Sequence, residues 1–361
     1  MNNLSTEFAP RPVLKYPFER DWHPEPGEPF EVAPGVFWLH VPMPISLDHI
    51  NLWLLRDGDG WVIVDSGLDS PCCKEVWQKV FAGFLQGALV KRIIITHFHP
   101  DHIGLAAWLA DKFECKIWIT EGEFRHYSEI IRGDKKSHEK KALDFIAEIG
   151  FDSDVGDRYN NFFSVDDKPE ITRVQESMCV FIKDGDELSI GDFDWRVVMG
   201  NGHSPEHACL YCEELSTMIS GDQALPRISS IVSVYIINRH EDPLGDWLDS
   251  CARLRDNIPD DTLVLPSHQE PFYGLGLRMQ QLIDDHHAQL NRLRLSMSVP
   301  TTVDKARRVL FDRELSVMDI FFATGETLAH INYLLHRGEL AKTEMPDKVV
   351  TYHYLNQRLL R

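Results

Sequence analysis

Residues 93 to 102 read Ile93-Ile94-Ile95-Thr96-His97-Phe98-His99-Pro100-Asp101-His102, an apolar strand that runs directly into three histidines and an aspartate. A strand rich in isoleucine belongs in the middle of a buried sheet, so the polar residues that follow it sit where that strand gives way to a helix. Alternation past the strand end lets His97 and His99 point to one side, while Asp101 and His102 open the helix and face a second point. Two adjacent metal ions follow from that geometry. Four polar groups buried without compensation would be expensive, and ligation is the arrangement that satisfies all four.

The rest of the chain supplies a sheet for that strand. Val36 to His40, Ile50 to Arg56 and Trp61 to Asp65 read as strands, the last two joined by Asp57-Gly58-Asp59-Gly60. A helix carrying Val76, Val80, Phe81 and Phe84 follows, then the strand Arg92 to Thr96, a helix from Ile103 to Lys112 and a strand from Lys116 to Thr120. Strand, helix, strand implies α/β layers. Glu121 to Arg173 is charged and helical, with Lys135, Lys136, Glu139, Lys140 and Lys141 close together and then Asp152, Asp154 and Asp157. It reads as an inserted cap, either a solvated face or a lid over a pocket.

Strand patterns return at Cys179 to Lys183, Glu187 to Ser189, Asp194 to Met199, Ala208 to Cys212 and Thr217 to Ser220. A helix follows Pro243, and a strand runs from Thr262 to Leu265. From Leu275 to Met297 a long helix places Met279, Ile283, His286, Leu290, Leu293 and Met297 on one stripe. Beyond Pro300, Val303 to Leu310, Val317 to Phe322 and Glu326 to Arg337 read as three helices, followed by strand-like Leu340 to Thr343 and Val349 to Leu355. That is the winged-helix order. The expected units are an extension over 1–34, a main domain over 35–298 with the cap at 121–173, and a small domain over 299–361.

Composition bounds what such a chain can do. It has 361 residues, 43% of them apolar and 26% charged, which suits an ordinary globular protein and excludes disorder. No apolar run approaches the roughly 20 residues that span a bilayer, and no signal peptide is apparent, so a cytoplasmic protein without membrane contact is expected. Seven scattered cysteines suit reduced thiols. Cys209 and Cys212 form the one Cys-x-x-Cys, and strand alternation sends their sulfurs to opposite faces. The net charge of −19 repels polyanions, although residues 301 to 361, with 9 basic and 8 acidic side chains, are nearly neutral. His286, His287, His330 and His336 lie on helices and read as core or surface imidazoles.

From about Gly35 to Pro271 the chain resembles the metallo-β-lactamase superfamily. The resemblance rests on the His-x-His-x-Asp-His signature at 97–102, with Val64-Asp65-Ser66-Gly67 before it. After it come Gly202-His203-Ser204-Pro205-Glu206-His207, Ser220-Gly221-Asp222 and Leu265-Pro266-Ser267-His268, in the family's order. The implied fold is α/β, a four-layer αββα sandwich with a helical insertion and a small C-terminal winged-helix-like domain. The resemblance implies that His97, His99 and His203 hold one metal, that Asp101, His102 and His268 hold the other, and that Asp222 bridges both. Asp65 would orient the histidine loop, and His207 is expected as a catalytic residue beside Asp101, a helper behind the ligands, with a plain loop hydrogen bond as the alternative. His203 follows Gly200-Asn201-Gly202, a loop able to reach back to the metals, and a carboxylate can bridge two cations where an imidazole cannot. Three residues depart from the family's pattern. Ser267-His268-Gln269 stands where Gly-His-Gly is usual, and Glu206 stands where a glycine is common after Pro205. Aspartate, not cysteine, at 222 makes the chain unlike a β-lactamase with a cysteine ligand.

The implied chemistry is hydrolysis by a hydroxide that bridges two divalent metal ions, zinc in the first place and iron or manganese as alternatives, with Asp101 orienting it. Family members with these motifs include thioesterases similar to glyoxalase II, lactonases and other ester hydrolases, so a small ester, lactone or thioester is the expected substrate. The C-terminal architecture also resembles the lactamase-beta-2-like single-strand endoribonucleases. The global charge argues against nucleic acid, and Glu326 to Arg337 offers a single Arg and two His to a DNA groove. A metal-stabilised protein without catalysis is the third alternative. The C-terminal unit is expected beside the active-site rim, serving substrate gating or a homodimer. Tyr273, five residues past His268, either reaches the substrate or packs.

Overall fold

The structure is a computed structural model; it describes residues 13–45, 47–132, 135–151, 173–236 and 238–355, with side chains at 132–140 and 142 left out. The acidic run at Asp152, Asp154 and Asp157 and the side chains of Lys135, Lys136 and Lys140 lie outside the described residues.

The first sheet contains β1 (Phe30–Ala33), β2 (Val36–Pro42), β3 (His49–Asp57), β4 (Gly60–Val64), β5 (Leu89–Ile94), β6 (Lys116–Thr120) and β7 (Cys179–Ile182), in that order. Pairing is antiparallel from β1 to β4 and parallel from β4 to β7. The second contains β8 (Glu187–Ile190), β9 (Phe193–Gly200), β10 (His207–Cys212), β11 (Thr217–Gly221) and β12 (Leu263–Pro266), ordered β12-β11-β10-β9-β8.

Side-chain alternation decides how the sheets stack. Trp38, Trp53, Val62, Val64 and Ile94 of the first sheet meet Trp195, Val197, Leu210, Ile219 and Leu265 of the second in one buried cluster. The next residues along the same strands, Leu39, Leu54, Ile63 and Ile93, point outward and are covered by α1 (Pro71–Val80), α3 (Ala106–Phe113) and α4 (Glu121–Arg132). On the far side Cys209, Tyr211, Met218 and Val264 pack on α6 (Pro243–Asn257) and α7 (Leu275–Ser296). Four layers result, helix, sheet, sheet and helix, each interface excluding water from side chains worth about 1.5–3 kcal/mol apiece when fully buried. Cys209 and Cys212 fall in different clusters, as alternation requires, and all seven cysteines are free.

Several element boundaries differ from the sequence expectation; β5 begins at Leu89 and ends at Ile94, where Arg92 to Thr96 was expected. The helix after the histidine motif is a single turn, α2 (Pro100–Ile103), separated from α3 at Gly104 and Leu105. A Cβ at Gly104 would lie 2.8 Å from the Asp69 nitrogen and 2.9 Å from the Gly67 oxygen, so glycine permits the loop after β4 to close on the motif. Beyond Pro300 there are two helices, α8 (Val303–Leu310) and α9 (Val317–His336), where three were expected. Gly325 does not stop α9. It is buried in mid-helix, where an added Cβ would collide with Ser233. A short strand β13 (Thr301–Thr302) joins β14 (Leu340–Glu344) and β15 (Val350–Tyr354) in a sheet ordered β13-β15-β14.

The insertion is tied to this C-terminal part. Phe145 and Ile149 of α5 (Lys135–Ile149) share a cluster with Val303, Leu328 and Tyr352. Toward the N-terminus, Phe18 and Trp22 lie against Trp38, and Lys15 pairs with Tyr273 through the backbone. Tyr273 therefore packs on the sandwich. Among the described residues no helix is long and apolar enough to cross a membrane.

Candidate metal centre

Strand direction brings the site together. β4 and β5 run parallel, as do β11 and β12, and β9 shares their direction through two antiparallel pairings with β10. The loops leaving β4, β5, β9, β11 and β12 carry Asp65, residues 97–102, His203, Asp222 and His268. The seven residues expected as ligands form two groups with their donor atoms within 4.8 Å of one another: His97, His99, His203 and Asp222, then Asp101, His102 and His268.

In the first group His97 Nε2 lies 2.8 Å from His99 Nδ1 and 3.2 Å from His203 Nε2. Asp222 Oδ2 is 3.5 Å from His203 Nε2 and 3.9 Å from His97 Nε2. Its other oxygen, Oδ1, faces the second group, 3.5 Å from His102 Nε2 and 3.4 Å from His268 Nε2. Asp101 Oδ2 completes that group, 3.4 Å from His268 Nε2. One carboxylate thus presents an oxygen to each cluster.

The remaining nitrogen of each ring is held from behind, which aims the free nitrogen inward. Thr96 Oγ1 donates to Asp65 and accepts from His97 Nδ1 at 3.0 Å. His102 Nδ1 donates to Asp65 Oδ2 at 2.8 Å, His203 Nδ1 to the Ile231 carbonyl at 2.7 Å and His268 Nδ1 to the His49 carbonyl at 2.8 Å. The Tyr235 hydroxyl lies 3.5 Å from His99 Nε2.

A cation fits this donor set. His102 Nε2, His268 Nε2 and Asp222 Oδ1 are buried and make no hydrogen bond among the described residues, although each is a strong hydrogen-bonding group. Burial, reinforced by the neighbouring imidazoles, holds the His97 pKa well below 6.5, and burial brings His99 down to about 3, so both rings are neutral ligands. Burial opposes ionisation of Asp222, but His268 and His102 outweigh it and keep the carboxyl well below 3.8. The opposite holds in the second group. Burial works against protonation of His102 and His268, yet Asp65, Asp101 and Asp222 around His102, and Asp222 and Asp101 around His268, raise both.

His207 stands behind the ligands as the first residue of β10. It is fully buried, its Nε2 accepts the Asp222 N–H at 3.1 Å, and its ring stacks on His97 at 4.8 Å. Gly221 makes room for it, because a Cβ at that left-handed position would lie 2.5 Å from the imidazole.

Three supporting residues escaped sequence reasoning. Glu123, buried in the first turn of α4, accepts the Phe98 N–H at 2.9 Å and the Glu206 N–H at 2.7 Å, joining two ligand loops. Asn51, buried in β3, donates to the carbonyls of Pro266 and Gln269 on either side of His268. Tyr235 sits in a loop with no regular pattern. Nothing in the local sequence marks these residues; an acid in a helix first turn and an asparagine in a strand are both ordinary. Two of the departures from the family pattern, Glu206 and Gln269, also find partners. Glu206 Oε2 accepts the Gly122 N–H at 2.7 Å, and Gln269 keeps a left-handed backbone (φ 69°) while its Oε1 accepts the Arg227 N–H.

Comparison with known proteins agrees with this geometry. The family model of the metallo-beta-lactamase superfamily matches residues 45–268, and that of the metallo-beta-lactamase-like C-terminal domain matches residues 290–355. The crystal structure of a beta-lactamase domain protein from Burkholderia ambifaria is 38% identical, with a TM-score of 0.85 over 95% of this chain and 98% of that one. The probable metallo-hydrolase YqjP of Bacillus subtilis is 23% identical over 304 residues, covering 83% of this chain and 92% of YqjP. The human acyl-coenzyme A thioesterase MBLAC2 is 23% identical over 263 residues, covering 66% of this chain and 79% of MBLAC2. With its four-layer fold, two His/Asp clusters able to bind metal ions and a family match over more than half its length, the chain belongs to the metallo-beta-lactamase superfamily and is a hydrolase.

Proposed function

We propose that the protein is a dinuclear metal-dependent acyl hydrolase acting on a small ester, lactone or thioester. The observation that carries this is Asp222, whose two oxygens face separate His/Asp clusters, one each. His97, His99 and His203 would hold one cation, Asp101, His102 and His268 the other, and Asp222 both; the N/O donor set suits zinc, with iron or manganese also accommodated. Bound cations would supply Lewis acidity toward the scissile carbonyl and lower the pKa of water.

The chain's own residues supply the rest. Asp101 lies at the rim, with 16% of its side chain exposed, and can accept a hydrogen bond from an entering water while His268 orients it. Tyr235, beside His99, can donate to a substrate oxygen. His207, expected as a catalytic residue, would act by fixing Asp222, whose backbone N–H it accepts from behind. The net charge of −19 disfavours a polyanion and leaves a neutral acyl group unhindered. The name of the human relative, a thioesterase, supports acyl chemistry at low identity.

One panel tests this: esters, lactones, thioesters and single-stranded RNA, assayed with wild type and His99→Ala. Acyl turnover lost in the variant is expected. RNA cleavage lost in the variant, with no acyl compound hydrolysed by wild type, would put the endoribonuclease in its place.

A further inference from the structure

Away from the rim, α7 and α9 bring a second set of ligand-type side chains together. Glu326 and His330 are four residues apart on α9 and share a face, and that face meets His286 on the buried stripe of α7. His330 and His286 are 0% and 2% exposed. His330 Nδ1 donates to the Glu326 carbonyl at 2.8 Å, which leaves Nε2 with a free lone pair. That nitrogen lies 3.2 Å from His286 Nδ1, and donor atoms of all three residues fall within 4.8 Å of one another.

The spacing is the informative quantity. Two nitrogens on one tetrahedral zinc, with bonds near 2.05 Å, stand about 3.3 Å apart. His97 Nε2 and His203 Nε2 in the centre described above are also 3.2 Å apart. A hydrogen bond between the two imidazoles would account for one contact, but it gives no role to the half-buried Glu326 carboxylate beside them, whereas a cation would engage all three side chains. Burial pushes that carboxyl up to about 7 and brings His286 and His330 down to about 3 and 4, so both imidazoles are neutral and available.

We infer that His286, Glu326 and His330 form a further divalent-cation site, of the zinc class, that clamps α7 to α9. Its position gives it a function. Gly325, next to Glu326, accepts the Val234 N–H at 3.1 Å and abuts Ser233. The same loop supplies the Ile231 carbonyl to His203 and the Tyr235 hydroxyl to His99. A cation between the helices therefore steadies the surface on which that loop rests, at a distance in sequence from every rim ligand.

The test uses the full chain, stripped with chelator and reloaded with zinc alone. Anomalous diffraction at the zinc edge on wild-type crystals is expected to show a peak between His286 Nδ1, His330 Nε2 and the Glu326 carboxylate. Elemental analysis is expected to give one equivalent less in Glu326→Gln than in wild type. No peak at that position under saturating zinc, together with equal metal content in the two proteins, would overturn the site. Both readouts concern this position or a difference, so they stand whether the rim centre holds one cation or two.

Discussion

Asp65 shows how one side chain governs the centre. It occupies a left-handed backbone position (φ 61°), accepts from Thr96 and His102, and so fixes both the strand end and one ligand ring. Asp65→Ala is expected to weaken metal binding by about 10–100-fold, measured by competition with a chromogenic chelator; unchanged affinity would show that His102 needs no such support. The two clusters also differ toward protons. His97 and His99 resist protonation because burial penalises their charge, whereas carboxylates raise His102 and His268. As pH falls, protons compete first for the group containing His102 and His268, so the rim metals should leave in two steps, this group first. Equilibrium dialysis against pH checks the order: His268→Ala should abolish the earlier step, and loss of the later step instead would reverse the assignment.

At the scale of elements, α4 holds two ligand loops through Glu123. Burial raises this carboxyl from 4.5 to about 7, so between those values the folded chain keeps a proton that the unfolded chain has released. Its contribution to stability is then fully present below pH 4.5 and lost as pH rises toward 7, by about 3 kcal/mol in all. In urea unfolding of metal-free protein, the stability gap between wild type and Glu123→Gln should narrow across that window; a gap independent of pH would contradict it. The break expected within α9 marks where local sequence stops being informative. Gly325 looks like a helix stop, but it is there because Ser233 and Val234 press against the helix. Gly325→Ala should cost about 1–3 kcal/mol, read as a lowered melting temperature. By contrast β2 to β4 were legible because each is a short apolar run set off by turn residues such as Gly35 and Asp57-Gly58-Asp59-Gly60, and the ligand motifs because their residues are contiguous or sit at strand ends. Glu123, Asn51 and Tyr235 were not, because their importance arises only when distant loops converge.

For the whole molecule, the sandwich, the insertion and the C-terminal part act as one body around the rim. Phe145 and Ile149 of the insertion share a core with α8, α9 and β15, and α9 in turn supports the loop that carries Ile231 and Tyr235. On the proposed acyl-hydrolase reading, the net charge of −19 favours a neutral acyl compound over a polyanion, and acyl turnover should depend little on salt. On the proposed function, Asp222 joins two metal positions into one catalytic centre. Metal content and acyl hydrolysis measured together on wild type and Asp222→Ala test it most directly. The variant should lose at least one equivalent of metal relative to wild type, and its turnover with it; an Asp222→Ala protein that keeps both wild-type metal content and wild-type hydrolysis would contradict the account.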